Sequence, residues 1–339
     1  MSQDKESGMA EEDILRILRD SGYPLEQEIA SSLEKMKWNF TLNYAFMDIE
    51  TNVSREIDLL AERNVSLENL MKALNKEVNK EHKGQGWKTI GERVRLSVEL
   101  LVECKKIKSP IVFFCRPKQT SDFFPHQADD IVQYSGVKPE IVVKPLNQRS
   151  RHIFTVGQLL RFGDLSHYSR NGEKATQFCK IYKSGKSLKA DHAEVYQSFI
   201  VPLIKAVAHQ KIARQVKPSW VFFDMFLQYP VIVIDGEILK ADPECKTVEK
   251  TNHVELVRNY YSSKIGGTYR IDVVSKSYFC EFIEKVLMPS VLLIDRELAQ
   301  KVTAVAEGTM RVRSMAKFFE FMNSEKGTST RQDSAQLTR

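Results

Sequence analysis

The 339-residue chain is 42% hydrophobic and 28% charged, which excludes an intrinsically disordered protein and is enough for one large core or two modest ones. No run approaches the roughly 20 apolar residues of a membrane-spanning helix; the richest, Phe199–Ala208, is interrupted by Pro202 and Lys205. The polar start, Met1 to Gly8, has no apolar signal core, and five scattered cysteines without a CxxC spacing argue against structural zinc and for a reducing, cytoplasmic setting.

In chain order, residues 1–9 read as a disordered start. Glu11 to Arg19 reads as a short helix with Ile14, Leu15 and Leu18 on one side, ended by Gly22 as a C-cap. Pro24 suits the first turn of a second helix running to about Met36, with Ile29, Ala30, Leu33 and Met36 as its apolar stripe. At 100° per residue Glu26 falls on the inward side of that helix and Glu28 on the outward side. Phe40, Leu42, Tyr44 and Phe46 alternate with polar or small residues as a strand, and Arg55 to Ala61 forms another. There Ile57, Leu59 and Ala61 take one face, and Glu56, Asp58 and Leu60 the other.

Residues 62–94 interrupt with a helical piece around Leu67 to Val78 and a Gly-bearing loop, His82 to Gly91. The next strand, Arg95 to Lys105, is the most informative stretch. Its even positions, Leu96, Val98, Leu100, Val102 and Cys104, make an unbroken apolar face, and Cys104 reads there as a packed small hydrophobe. Glu103 and Lys105 point the same way, about 7 Å apart at about 3.3 Å per residue. A carboxylate beside an ammonium can hold a divalent metal and position a water; taken alone, the pair reads first as an exposed ion pair worth little. Pro110 to Cys115 is a further short strand, broken by Arg116-Pro117-Lys118.

From Thr120 to about Lys189 the chain reads as basic and irregular, with a helical hint at Val156 to Phe162. Between Lys138 and Lys189 eleven Lys or Arg face three acids, an excess of eight against a whole-chain charge of +6. Phe154, Phe162, Tyr168, Phe178 and Tyr182 are interleaved, a composition suited to a phosphate backbone and its bases or to a solvated basic surface. The candidate nucleic-acid contacts are Arg149, Arg151, Arg161, Arg170, Lys174, Lys180, Lys183, Lys186 and Lys189. Asp191 with Glu194 predicts a capping box for a long helix to about Gln215, kinked or divided at Pro202. Trp220–Phe226 and Tyr229–Ile234 are apolar runs, and Asp235-Gly236 predicts a hairpin into Glu237–Lys240. Thr268–Ser275 reads as a strand, Tyr278–Val286 as a helix, and Glu297–Met322 as a helix weakened at Gly308. Residues 324–339 read as a disordered tail.

Leu25-Glu26-Gln27-Glu28-Ile29-Ala30, then Arg55-Glu56-Ile57-Asp58-Leu59-Leu60-Ala61, then Leu101-Val102-Glu103-Cys104-Lys105-Lys106 resemble the restriction-endonuclease-like (PD-(D/E)XK) nuclease superfamily. The core of that superfamily is α-β-β-β-α-β and its signature an aspartate followed by Asp/Glu-x-Lys. The resemblance implies an α/β fold with a mixed central sheet flanked by helices over 10–295. Residues 62–94 would be a helical insertion, 120–189 the basic irregular segment, and 296–323 a C-terminal helical extension. It implies a Mg²⁺- or Mn²⁺-dependent nuclease in which Asp58, Glu103 and the backbone carbonyl of Cys104 hold the metal. Lys105 would orient or deprotonate the attacking water, and Glu26 would reach the metal directly or through water. The implied partner is nucleic acid, DNA ahead of RNA, and a homodimer fits because many nucleases of this fold pair to cut two strands. The counter-reading is a catalytically inactive member that binds nucleic acid or a partner protein.

In this sequence Ile57, not proline, precedes Asp58, and about 45 residues separate Asp58 from Glu103, so Asp48 and Glu50 stand in reserve. His126, His152, His167 and His192 show no metal-ligand spacing. Neither Ser169-Arg170-Asn171-Gly172 nor Ser184-Gly185-Lys186-Ser187 completes a phosphate-loop pattern. Asp272 comes too late for the metal site and reads as structural.

Overall fold

The computed structural model describes residues 11–65, 94–119, 128–146, 150–214, 223–316 and 318–319. Calls on the helical piece at Leu67–Val78, the loop His82–Gly91, His126, Arg149 and both chain ends lie outside these residues.

Two helices open the chain, α1 (Glu11–Asp20) and α2 (Tyr23–Lys35). Gly22 is not a left-handed C-cap as expected: at φ −72° it is the N-cap of α2, because Pro24 starts the next helix at once. The stripe on α2 behaves as its periodicity requires. Leu25, Glu26, Ile29, Ala30 and Leu33 are buried, while Glu28 is exposed and paired with Lys276.

The strands are β1 (Asn39–Met47), β2 (Ser54–Asn64), β3 (Val94–Lys106), β4 (Ile111–Pro117), β5 (Gln133–Ser135), β6 (Glu140–Pro145), β7 (His152–Thr155), β8 (Glu173–Ser184) and β9 (Ser187–Asp191). After α3 (Val201–Ala213) come β10 (Phe223–Asp235), β11 (Ile238–Ala241), β12 (Val248–Lys250), β13 (His253–Tyr261) and β14 (Gly266–Ser275), then α4 (Met288–Glu307) and β15 (Thr309–Val312). One mixed twelve-stranded sheet runs β1-β2-β3-β10-β14-β13-β8-β4-β11-β12, with β5 on β10 and β9 on β8; β15-β6-β7 form a second, small sheet. Helices α2 and α4 pack in the core cluster that holds Leu96 to Cys104, and α3 packs in the cluster holding Leu101 and Ile232, so helices flank both faces. The molecule is α/β; α2, β1, β2 and β3 follow one another, β4 to β9 intervene before α3 and β10, and β10 is parallel to β3. Among the described residues no helix is long and apolar enough to cross a membrane.

Asp235-Gly236 is not a hairpin, since β10 and β11 do not pair with each other. β10 lies parallel to β3 and β11 parallel to β4, so both chains bend together, at 236–237 and at 107–110. The ladder from β10 through β14, β13, β8 and β4 thereby returns to β11, the continuation of β10, and the sheet curls back on itself. Gly236 sits where the two bends cross; a Cβ there would meet the Ile107 carbonyl oxygen at 2.6 Å. Pro230 is tolerated inside β10 because it falls in a gap: β5 pairs only as far as Gln228, and β14 begins opposite Val231.

Four other expectations change. The 62–94 interruption is shorter, since Glu62, Arg63 and Asn64 pair with Glu99, Val98 and Ser97. Among its described residues the 120–189 segment holds five strands and four short helices, because its apolar residues find partners distant in sequence. Asp191 ends β9; its carboxylate accepts from the Ala193 amide, and the helix that follows widens into a π-turn at Tyr196–Ile200. Pro202, with no N–H to give, begins α3 immediately after that turn. The last helix begins at Met288, not Glu297, and stops at left-handed Gly308 (φ 68°), after which β15 pairs with β6. It buries Val291, Ile294 and Leu298 in the main core and crosses the boundary expected at 295/296.

Candidate active site

The site lies at the C-terminal end of β3, just before the bend. The even positions of β3 are buried in one core cluster as their alternation requires, from Leu96 at 0% to Cys104 at 4% exposure. The odd face is buried as well, because α3 covers it: Glu99, Leu101 and Glu103 are all under 4% exposed. The Glu103–Lys105 pair is therefore not a surface ion pair.

The structure brings Asp58 to this strand end despite the long connection, because β2 is the antiparallel neighbour of β3. Their ladder runs from Asn64–Ser97 to Leu59–Val102 and stops. The β1–β2 ladder skips one pair at the same level, Asn43 with Asp58, where Asn43 is left-handed (φ 49°). Past this break the Asp58 side chain replaces the missing strand contact, and its carboxylate accepts the Cys104 N–H at 2.6 Å. The N–H and C=O of a strand residue point to the same side. The Cys104 carbonyl is thus directed toward the space beside Asp58.

Lys105 Nζ is 2.6 Å from Glu103 Oε2 and 3.7 Å from Asp58 Oδ2, and 5.7 Å from the centre of the Phe199 ring. Asp58 and Lys105 are partly open to solvent, and Glu103 forms the floor. Burial pushes the Glu103 carboxyl up to about 8; Lys105 partly relieves this, and Asp58, close enough to share a hydrogen bond, adds to it. Burial opposes the Lys105 charge, but the Glu103 and Asp58 carboxylates outweigh it and hold the ammonium above its ordinary value. Glu26 comes in from the first turn of α2. Burial raises its carboxyl, with Asp58 adding and Lys105 opposing, so it shares the field of the site without a direct bond to it. The Cys104 thiol is raised by burial and stays neutral.

Among the described residues no three or more His, Cys, Asp or Glu side chains form a group able to hold a metal ion. The side chains that meet around Lys105 are the carboxylates of Asp58 and Glu103, hard oxygen donors of the kind Mg²⁺ or Mn²⁺ takes.

The reserve candidates are elsewhere. Asp48 is fully buried and accepts from Lys205 at 2.7 Å and Arg55 at 2.6 Å, while Glu50 takes Lys205 at 3.0 Å and the Tyr260 hydroxyl at 2.7 Å. These bonds brace the β1–β2 turn against α3. The basic residues also divide. Arg161 is buried, 3.2 Å from Asp164 and 3.8 Å from Glu297, and is committed within the protein. Arg151 is exposed near the small sheet, Arg170 ends the turn His167–Arg170, and Lys174 is half-buried on β8. Lys180 pairs with Glu194 at 3.1 Å, and Lys183, Lys186 and Lys189 stand exposed on the β8–β9 hairpin.

Single-residue reading missed a second polar cluster. Buried Asp272 accepts from His167 at 3.0 Å, His253 at 2.8 Å and the Tyr168 hydroxyl at 3.1 Å. Its strand placement was legible, but partners 104 and 105 residues away were not. Comparison of the chain with protein-family models, curated proteins and solved structures finds no match.

Proposed function

We propose that this protein is a divalent-metal-dependent nuclease that hydrolyses phosphodiester bonds, with DNA its preferred substrate. The observation that carries the reading is the convergence of Asp58 and Glu103, from two neighbouring strands, on the single ammonium of Lys105. The α2-β1-β2-β3 order, with β10 parallel to β3, supports it. Asp58, Glu103 and the Cys104 carbonyl would hold Mg²⁺ or Mn²⁺, which when bound neutralises phosphate charge and supplies a water of lowered pKa. Lys105, held as an ammonium by the Glu103 and Asp58 carboxylates in the metal-free site, would orient or deprotonate the attacking water. Glu26 adds negative charge that favours a cation. Cys104 acts through its backbone only.

A second reading has an observation of its own. The absence of a three-ligand side-chain group among the described residues and the direct Glu103–Lys105 contact fit an inactive module that keeps the fold to bind nucleic acid or a partner protein. Incubation of purified protein with supercoiled plasmid decides between the two. Nicking that needs Mg²⁺ or Mn²⁺, and is lost in Asp58→Ala, Glu103→Ala and Lys105→Ala, supports the nuclease. Cleavage by the Lys105 variant at the unmodified rate sinks the assignment.

A further inference from the structure

Pro202 opens the helical ladder at the start of α3. It has no N–H to give, and its ring crowds the Ser198 carbonyl one turn back. The helix widens there into the π-turn Tyr196–Ile200, in which the Val201 N–H donates to the Tyr196 carbonyl five residues earlier. Such turns are uncommon and recur at functional sites. This one carries two aromatic rings, each beside a cation from a different strand. The Arg258 guanidinium of β13 lies 5.0 Å from the centre of the Tyr196 ring, and the Lys105 ammonium of β3 lies 5.7 Å from that of Phe199. The turn is thereby pinned between the two strands.

Phe199 is buried in the core cluster that α3 forms with Leu101 and Ile232, so packing by itself accounts for an apolar side chain there. It does not account for a cation against the ring. Lys105 Nζ is bounded by Glu103 Oε2 at 2.6 Å, Asp58 Oδ2 at 3.7 Å and the Phe199 face. These neighbours differ in kind. A metal held by Asp58 and Glu103 would compete with Lys105 for their oxygens. An aromatic face attracts an ammonium and offers no oxygen to Mg²⁺ or Mn²⁺. The ring is the neighbour of Lys105 that metal binding leaves in place.

We propose that Phe199 is a positioning residue, which keeps the Lys105 ammonium directed at the attacking water while Asp58 and Glu103 hold the metal. The inference rests on the nuclease reading above and adds to it a residue that acts through Lys105 alone.

The test uses the full chain with lysine ¹³C-labelled at the ε-carbon. The wild type is compared with Phe199→Leu, which fills the site without an aromatic face, and Phe199→Tyr, which restores the face; circular dichroism shows that each is folded. The Lys105 ε-methylene resonance, identified by its loss in Lys105→Arg, is expected upfield of the other lysines through the ring current, in EDTA and in Mg²⁺ alike. It should return to the ordinary lysine position in Phe199→Leu and stay upfield in Phe199→Tyr. In plasmid nicking, Phe199→Leu is expected to lower kcat about 3- to 30-fold with KM within about twofold, and Phe199→Tyr to stay within about twofold of the wild type. A wild-type resonance among the other lysines overturns the inference without any variant. So does a resonance that Phe199→Leu leaves in place, or an equal loss of nicking in the Leu and Tyr variants, since the ring would then only pack. Wild-type and Phe199→Leu nicking at the same kcat overturns the inference and keeps the nuclease. Absence of metal-dependent nicking by the wild type sinks the nuclease, and the resonance still decides whether Phe199 holds Lys105.

Discussion

The Cys104 N–H donates to the Asp58 carboxylate at 2.6 Å, across 46 residues of sequence, at the point where the β2–β3 ladder ends. This bond fixes the aspartate as an extension of the sheet, and the same oxygen, Oδ2, lies 3.7 Å from the Lys105 ammonium. Asp58→Asn keeps an acceptor for that N–H and removes the charge. It is expected to stay as stable as the wild type in urea titration while losing about 10²-fold or more in plasmid nicking. Asp58→Ala should additionally lose about 1–3 kcal/mol of stability, because the amide is left without its acceptor.

Glu103 governs the pH dependence. Its carboxyl is raised to about 8 by burial and by Asp58, so below that pH a metal must displace a proton. Mn²⁺ affinity measured by calorimetry is therefore expected to climb up to about tenfold per pH unit below 8 and to level off above it. A flat profile from pH 6.5 to 8.5 would remove Glu103 from the ligand set. The same shift sets stability without metal. A carboxyl raised from its ordinary value stabilises the fold fully below about 4.5, and that contribution is lost as pH rises through about 8. Chemical unfolding in EDTA should show the decline, with Mn²⁺ reversing it.

Gly236 allows the two bent strand pairs to cross. Gly236→Ala drives a methyl into the Ile107 carbonyl and should cost about 1–3 kcal/mol in denaturant titration. Since Ile107 follows the site strand by one residue, nicking should fall as well.

Asp272 holds two histidines and a tyrosine in the buried layer between β14 and the turn at His167–Arg170. Although burial alone would raise its carboxyl, His167 and His253 reverse this and hold it well below the usual range. Asp272→Ala removes the carboxylate acceptor of His167 and His253, while the Tyr168 hydroxyl keeps the Arg270 carbonyl, and it is expected to destabilise by about 3–5 kcal/mol in thermal or urea unfolding. Unchanged stability would show that the cluster is not the brace its geometry implies.

Much of the candidate site was legible locally. The odd–even split of β3 put Cys104 in the core and Glu103 beside Lys105, and the 3.6-residue period of α2 separated inward Glu26 from outward Glu28. The failures share a cause. Asp235-Gly236 has the composition of a hairpin turn, yet the next strand is paired with β4, supplied more than 120 residues earlier. Asp191 and Glu194 have the spacing of a capping box, yet Asp191 is claimed by β9 and Glu194 by Lys180. Arg161 counts as surface charge in a linear tally, whereas Asp164 and Glu297 enclose it.

The amino-acid sequence by itself determined which face of each element is apolar, because side-chain direction repeats with a period set by the backbone of that element. It also determined that Glu103 and Lys105 lie side by side. Only the tertiary structure decided that Asp58 joins them, that α3 buries Glu103 and raises its carboxyl, and that the sheet curls through Gly236. Those outcomes depend on which distant strand satisfies a given backbone N–H and which helix excludes water from a given face, and no local period encodes either.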